Sequence, residues 1–257
     1  MSGQITTYVL NLDRSVDRWQ AISDRLSALN IPFVRVPAVD GRTLRLADHV
    51  DDAACRRYMG RSMHQGELGC TLGHRLALQR FLASQDAFAV VLEDDALPLP
   101  GLEALAGVVA FLHTAPAVSA LNLGPSDYKY TSPIHTTGAS TILCAHRFAM
   151  MANAVLWTRA GAARVLADQA KISLPWDTYL REVFTGDNTG LSLRPPAYGT
   201  TGSPSDIEAA ANGERSQQRR SPWYFLVKQR RIWRIKLRAM AALIRWRMVR
   251  AAGAVRP

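Results

Sequence analysis

The chain has 257 residues, 48% of them hydrophobic and 20% charged, enough ordinary globular sequence for one large α/β domain or two small ones. Its net charge of +10 is unevenly placed: residues 215–257 hold 13 Lys and Arg and no acid, which leaves the first 214 residues at −3. With no run of about 18 apolar residues a membrane-spanning helix is not expected, and three cysteines (Cys55, Cys70, Cys144) without CxxC spacing argue against a disulfide framework or a zinc site and suit a reduced compartment.

The N-terminus, MSGQITTYVLNL, has no basic segment leading an apolar one, so no secretory signal is expected. Ile5–Asn11 reads as a β-branched and aromatic strand, and Asp13 or Ser15 can cap the helix after it. Trp19, Ile22, Leu26 and Leu29 recur at helical spacing up to Pro32, and Phe33–Val36 reads as a second strand. This βαβ pattern suggests a parallel sheet. Arg14 and Arg18 fall just past the first strand's carboxyl end, where they either meet an anionic ligand or lie solvated on a helix. Asp40-Gly41 is a turn signal, with a ribose contact by Asp40 as the alternative. Gly66–Ser84 reads as a helix with a glycine-studded start. Gly66, Gly69 and Gly73 point to close backbone approach, since each costs a helix about 1 kcal/mol relative to Ala. Glu67 near its start suits the helix dipole. His74 is either a satisfied core residue or a group that orients a neighbour or contacts substrate.

The stretch Phe88–Pro98, FAVVLEDDALP, joins a buried apolar strand to three carboxylates, Glu93, Asp94 and Asp95. Pro98 and Pro100 stop the strand. In extended chain Glu93 and Asp95 share one face and Asp94 takes the other. Adjacent carboxylates repel unless a cation or donor sits among them. Oxygen ligands of this kind suit Mg²⁺ or Mn²⁺ held against substrate phosphates, and the alternative is a solvated acidic turn. A helix is expected over Leu102–Leu112 and a short strand over Ser119–Leu123. Gly124–Ser140, with Tyr128, Lys129, Tyr130 and His135, reads as a long loop of the kind that forms lids. Asn153–Thr158 is a further strand and Arg159–Ala170 a helix. In Leu174–Phe184, Asp177 is an N-terminal cap or a general base. Residues 194–207 read as a Pro/Gly/Ser-rich loop ending the body.

From Pro222 to about Ala252 the chain reads as one helix. Trp233, Leu237, Met240, Ile244 and Met248 form an apolar stripe, and Arg230, Arg231, Arg234, Arg238 and Arg245 line its flank. A basic amphipathic helix of this kind suits an anionic membrane surface. Nucleic-acid binding and simple packing on the body are the alternatives.

Taken in order, YVLNLDRSVDRW (8–19), VPAVDG (36–41), GELGCTLGH (66–74), VVLEDDA (90–96), NAVLWTRAGAARVL (153–166), PWD (175–177) and PSDI (204–207) resemble glycosyltransferase family 25. These are the lipooligosaccharide/lipopolysaccharide galactosyltransferase-type enzymes, a family that also includes collagen galactosyltransferases. Gly73 departs from the Ser that the family usually has before its His. The resemblance implies a GT-A type, Rossmann-like mixed α/β sheet flanked by helices over residues 1–212, followed by a basic amphipathic helical tail over 213–257. It implies inverting transfer of a hexose, often galactose, from a UDP-sugar to a hydroxyl of a lipopolysaccharide, lipooligosaccharide or other surface glycan. Asp95 and Glu93 would hold Mn²⁺ (or Mg²⁺). Asn11, Arg14, Arg18, Asp40, His74, Glu93 and Asp94 would bind the nucleotide sugar. Asp177 is the favoured base, with Glu67 and Asp206 next. The expected location is cytoplasmic, peripheral on the inner membrane, with no nucleic-acid partner. The competing functions are a non-enzymatic membrane- or nucleic-acid-binding protein acting through the tail, and a metal-dependent nucleotidyltransferase. The absence of glycine from LNLDRSVDRW counts against the second.

Overall fold

Strand β1 (Ile5–Asn11) shows how the sheet is built: its side chains alternate, so Tyr8 and Leu10 enter one core and Val9 the other. The structure, a computed structural model, describes residues 5–167, 171–202 and 222–252. Helix α1 (Val16–Ala28) follows, with Ser15 at its N-cap position and Ile22 and Leu26 buried. Strand β2 (Phe33–Pro37) lies parallel to β1. A 3₁₀ turn (Gly41–Thr43) and two short helices, α2 (Leu46–His49) and α3 (Asp52–Met59), lead to the long α4 (Gln65–Ala83). Strand β3 (Phe88–Glu93) enters the centre of the sheet, parallel to β1.

Beyond β3 come the short β4 (Ala96–Pro98), a 3₁₀ turn (Pro100–Ala104) and α5 (Leu105–Thr114). The helix expected over 102–112 therefore starts later, because Pro100 and Gly101 open a 3₁₀ turn first. Strand β5 is Ala120–Asn122. The expected loop over Gly124–Ser140 needs correction: strand β6 (Thr131–Thr137, 7 residues) lies within it and pairs antiparallel with β7 (Ser140–Ala145). Pro133 hid this strand from sequence reading. It is tolerated because β6 is an edge strand whose register shifts at that point. The remaining elements are β8 (Ala154–Thr158), α6 (Arg159–Ala167), α7 (Trp176–Phe184), β9 (Gly190–Arg194), β10 (Tyr198–Thr200) and α8 (Tyr224–Ala251).

The strand order is β2-β1-β3-β8-β5-β9-β7-β6, and β4 pairs separately with β10. The sheet is parallel over β2-β1-β3 and again between β5 and β9. Strand β8 runs antiparallel between β3 and β5, so the sheet is mixed. Helices α3, α4, α6 and α7 cover one face and α1 and α5 the other, each over its own apolar core. The fold class is α/β, with helices on both sides of a mixed sheet and a C-terminal helix.

Helix α8 docks on the body through Ile235, Ala239 and Ala242, all buried. Arg234 and Arg238 both reach Glu182 of α7, at 2.9 and 2.7 Å. The stripe Trp233, Leu237, Met240, Ile244 and Met248 turns the opposite way and stays 44–59% exposed. The helix thus carries two apolar faces, one of Ile235, Ala239 and Ala242 against the protein and a bulky one outside. Among the described residues no helix is long and apolar enough to cross a membrane.

Candidate active site

Three chain segments leave the carboxyl edge of the sheet side by side, after β1, β2 and β3. Together with the first half of α4 they enclose an open cleft lined by Asn11, Arg14, Arg18, Asp40, Cys70, His74, Glu93 and Asp94, among others. Ligands of open α/β sheets bind at this edge. The glycines explain how α4 comes so close. A Cβ on Gly69 would lie 2.5 Å from the Val39 carbonyl oxygen and 2.7 Å from the Gly41 nitrogen, so helix and loop meet backbone to backbone. Gly73 has no such neighbour within 3.8 Å, and the close-approach reading does not extend to it.

The three carboxylates after β3 take three different surroundings. Glu93 continues the alternation of Ala89 and Val91 toward α4, where its Oε1 lies 3.2 Å from His74 Nε2. His74 is buried, and its ring stacks on Trp176 with centroids 5.3 Å apart. Asp94 accepts a hydrogen bond from Asn11 Nδ2 at 2.8 Å and pairs with Arg18. Asn11 is itself oriented by Arg35, which donates to its Oδ1 at 2.7 Å. Burial pushes the Asp94 carboxyl up, against the downward pull of Asn11 and Arg18. Asp95 departs from the extended-chain expectation. Residues 94 and 95 form a turn, so Asp95 faces β10 rather than sharing a side with Glu93. Thr200 Oγ1 donates to its Oδ2 at 2.8 Å, while its Oδ1 is buried without a hydrogen-bond partner. Burial raises its pKa, and the Glu93 charge raises it further.

The opposite wall is cationic. Arg14 and Arg42 both pair with Asp40, which also accepts from the Arg42 backbone N–H and so caps the 3₁₀ turn. The Arg42 hydrogen bond holds the Asp40 carboxyl below its ordinary value despite partial desolvation. Asp40 is therefore a turn residue that also lines the cleft.

Asp177 sits in the first turn of α7, whose N-cap is Pro175, so the capping role weighed for it does not apply. Its side chain keeps some solvent contact, yet crowding by the surrounding protein, and then the Glu93 charge, raise its pKa to about 8. Glu67 is engaged differently. It completes a capping box with His64 at the start of α4 and takes a two-pronged ion pair from Arg61 at 2.5 and 2.8 Å. Its charge is already matched by Arg61. Asp206 lies outside the described residues. Sequence reasoning passed over Cys70, Trp176 and Thr200. Cys70 and Trp176 stand inside quoted motifs, GELGCTLGH and PWD, whereas nothing local marks Thr200.

Residues 4–108 match the family described as Glycosyltransferase family 25 (LPS biosynthesis protein). Over that stretch the chain is similar to glycosyltransferase family 25. A "Glycosyltransferase 25 family member" of Drosophila pseudoobscura pseudoobscura is 30% identical over 95 residues, and one of Aedes aegypti is 32% identical over 95. Each match takes in 34% of this chain but only 15% and 16% of those longer relatives. A solved glycosyltransferase "involved in the glycosylation of the major capsid of PBCV-1" aligns with 82% of this chain and 98% of its own, with a TM-score of 0.40 and 9% identity. The matched segment contains the cleft-lining residues from Asn11 to Asp94. Asp177, which feels the Glu93 charge, and Thr200, which bonds Asp95, lie beyond it.

Proposed function

We propose that the protein is an inverting glycosyltransferase that moves a hexose, galactose by preference, from a UDP-sugar to a hydroxyl of a lipopolysaccharide, lipooligosaccharide or similar surface glycan. One observation carries this reading. A single cleft within the family 25 segment sets arginines against a group of carboxylates, with a carboxyl of pKa about 8 close to Glu93. Arg14 and Arg18 are held by Asp40 and Asp94, so they are placed in advance for a diphosphate that would share or replace those partners. Asn11 keeps Asp94 in position. His74, fixed by Trp176, orients Glu93. Asp177 takes the proton from the acceptor hydroxyl as that oxygen attacks the sugar on the face away from UDP.

Asp95 would hold a hard divalent cation, Mn²⁺ or Mg²⁺, with Glu93 as a second ligand once its carboxylate turns from His74. What supports this is the buried Asp95 Oδ1, which has no hydrogen-bond partner and feels the Glu93 charge, a costly arrangement that a cation relieves. Bound there, it would supply charge neutralisation for the departing diphosphate. The direct experiment is a thermal-shift and turnover panel of UDP-sugars with Mn²⁺. A ligand at a hundred times its Kd stabilises by about 2.7 kcal/mol, and UDP-galactose is expected to give the largest upward shift. The reading fails if no UDP-sugar shifts the melt and none is turned over.

The outward face of α8 supports peripheral binding to an anionic membrane, at the cytoplasmic face of the inner membrane. Its exposed stripe carries Trp233, and Arg230, Lys236 and Arg247 lie near it among 13 basic residues after 214. Each basic side chain close to an anionic leaflet adds about 1 kcal/mol. Co-flotation should capture the protein on phosphatidylglycerol vesicles and not on phosphatidylcholine. The double change Leu237→Glu and Ile244→Glu should release it with little effect on the melting temperature, since both side chains are more than half exposed. Equal capture of the variant would refute membrane contact through this face.

A further inference from the structure

Cys70 and His74 stand one turn apart on α4, four residues from each other, and so project from one face of the helix. Glu93 meets that face from the end of β3. The Cys70 sulfur, a His74 ring nitrogen and a Glu93 carboxylate oxygen all lie within 4.8 Å of one another. We propose that these three side chains form a binding site for a soft divalent cation, zinc above all, with its fourth position open to the cleft.

The chemistry of the donor set selects the ion. One thiolate, one imidazole and one carboxylate are zinc ligands, and three protein ligands plus an open position is the pattern of an accessible zinc site. Thiolate disfavours Mg²⁺ and Mn²⁺, which prefer oxygen. The geometry is nearly in place. Ligand atoms around a tetrahedral zinc stand roughly 3.3–3.8 Å apart at ordinary bond lengths of about 2.0–2.3 Å. His74 Nε2 and Glu93 Oε1 are already 3.2 Å apart, so closing the site falls chiefly to Cys70, a short side chain on the cleft wall. The imidazole plane is fixed by stacking on Trp176 at an interplanar angle of 15°, as an outer shell fixes metal-ligating histidines. Burial first, and then the Glu93, Asp177 and Glu67 charges, push the Cys70 thiol pKa up; the same negative charges attract a cation, which would displace the thiol proton. Cys55 and Cys144 are buried elsewhere and take no part.

Binding forms a zinc–sulfur bond and releases the thiol proton of Cys70 to solvent. The zinc stays Zn²⁺ and no electron moves. Occupancy would also claim Glu93 and so compete with the hard cation at Asp95. That consequence rests on the proposed sugar-transfer reading, whereas the binding itself does not.

The test uses the metal-stripped full-length chain without any sugar. Titration with zinc chloride under excess Mg²⁺ should show one site with proton release. Titration with Co²⁺ should give a sulfur-to-cobalt charge-transfer band in the near ultraviolet. In Cys70→Ser, which keeps size and fold, the band should vanish and zinc affinity should drop at least about tenfold, the loss that even outer-shell changes produce. Glu93→Gln should weaken zinc while keeping the sulfur band. Failure of the wild type to bind zinc under these conditions overturns the proposal. So does a Cys70→Ser protein that binds zinc as tightly as the wild type.

Discussion

Asp177→Asn should abolish sugar transfer and, in the same protein without added metal, raise the melting temperature at pH 8. Both effects follow from one physical fact. The folded protein holds the Asp177 carboxyl at a pKa of about 8, against an ordinary 3.8, because burial and the Glu93 charge disfavour the anion. Below about pH 4 the group is protonated in both folded and unfolded chains and its stabilising effect is complete. As pH rises from 4 to 8 the unfolded chain releases the proton and the folded one retains it, so stability falls, and the fall ends above pH 8. Asn does not titrate, so the variant escapes this loss. The gain at pH 8 is on the order of a few kcal/mol, several degrees in Tm for a chain of this size. Activity moves the other way. A base with this pKa is mostly protonated at pH 7, so wild-type turnover should climb as pH passes 8, and the variant should lose about 10²–10⁴-fold in kcat with no such rise. Thermal melts at pH 4 and pH 8 and a pH–rate profile check both. An Asn variant within tenfold of wild-type turnover would remove Asp177 as the base.

Asp95→Asn should cancel the stabilisation that Mn²⁺ confers. The substitution is nearly isosteric, and the amide oxygen can still accept the Thr200 hydroxyl that now meets Oδ2 at 2.8 Å. It removes one of the charges that repel Glu93 and so relieves the penalty on the buried, unpartnered Oδ1. Without metal the variant should therefore melt at or above the wild-type temperature. With saturating Mn²⁺ the wild type should shift upward and the variant should not, and calorimetric Mn²⁺ affinity should fall at least about tenfold. Transfer should fall with it, since leaving-group charge would be unmatched. An unchanged Mn²⁺-induced melting shift in Asp95→Asn would place the cation elsewhere. Because that measurement involves no sugar, it separates the cation's location from the identity of the donor.

Much of the site's make-up could be read from local pattern. The run Phe88–Leu92 had to be a central buried strand, and two-residue alternation carried Glu93 to the α4 face. Arg14 and Arg18 lay just past β1, and the structure places both on the cleft. The alternation rule broke down one residue further on. The chain turns at 94–95, which sends Asp95 toward Thr200, a residue 105 positions away. The amphipathic reading of the tail identified the right stripe. Periodicity does not say which face meets the protein, however, and Ile235, Ala239 and Ala242 took that place.

Local composition by itself therefore determined the leading strand–helix–strand, the acidic strand end, the basic tail and the seven motifs that resemble family 25, though not the edge strand β6. Tertiary structure alone decided the pairings: His74 with Glu93, Asn11 and Arg18 with Asp94, Arg61 with Glu67, and Thr200 with Asp95. It also decided that Asp177 loses its solvation beside Glu93 and becomes a weak acid. The physical reason is range. Backbone propensity and side-chain periodicity act over a few residues, whereas a carboxylate's charge state depends on burial and on neighbours that only the folded sheet brings within reach.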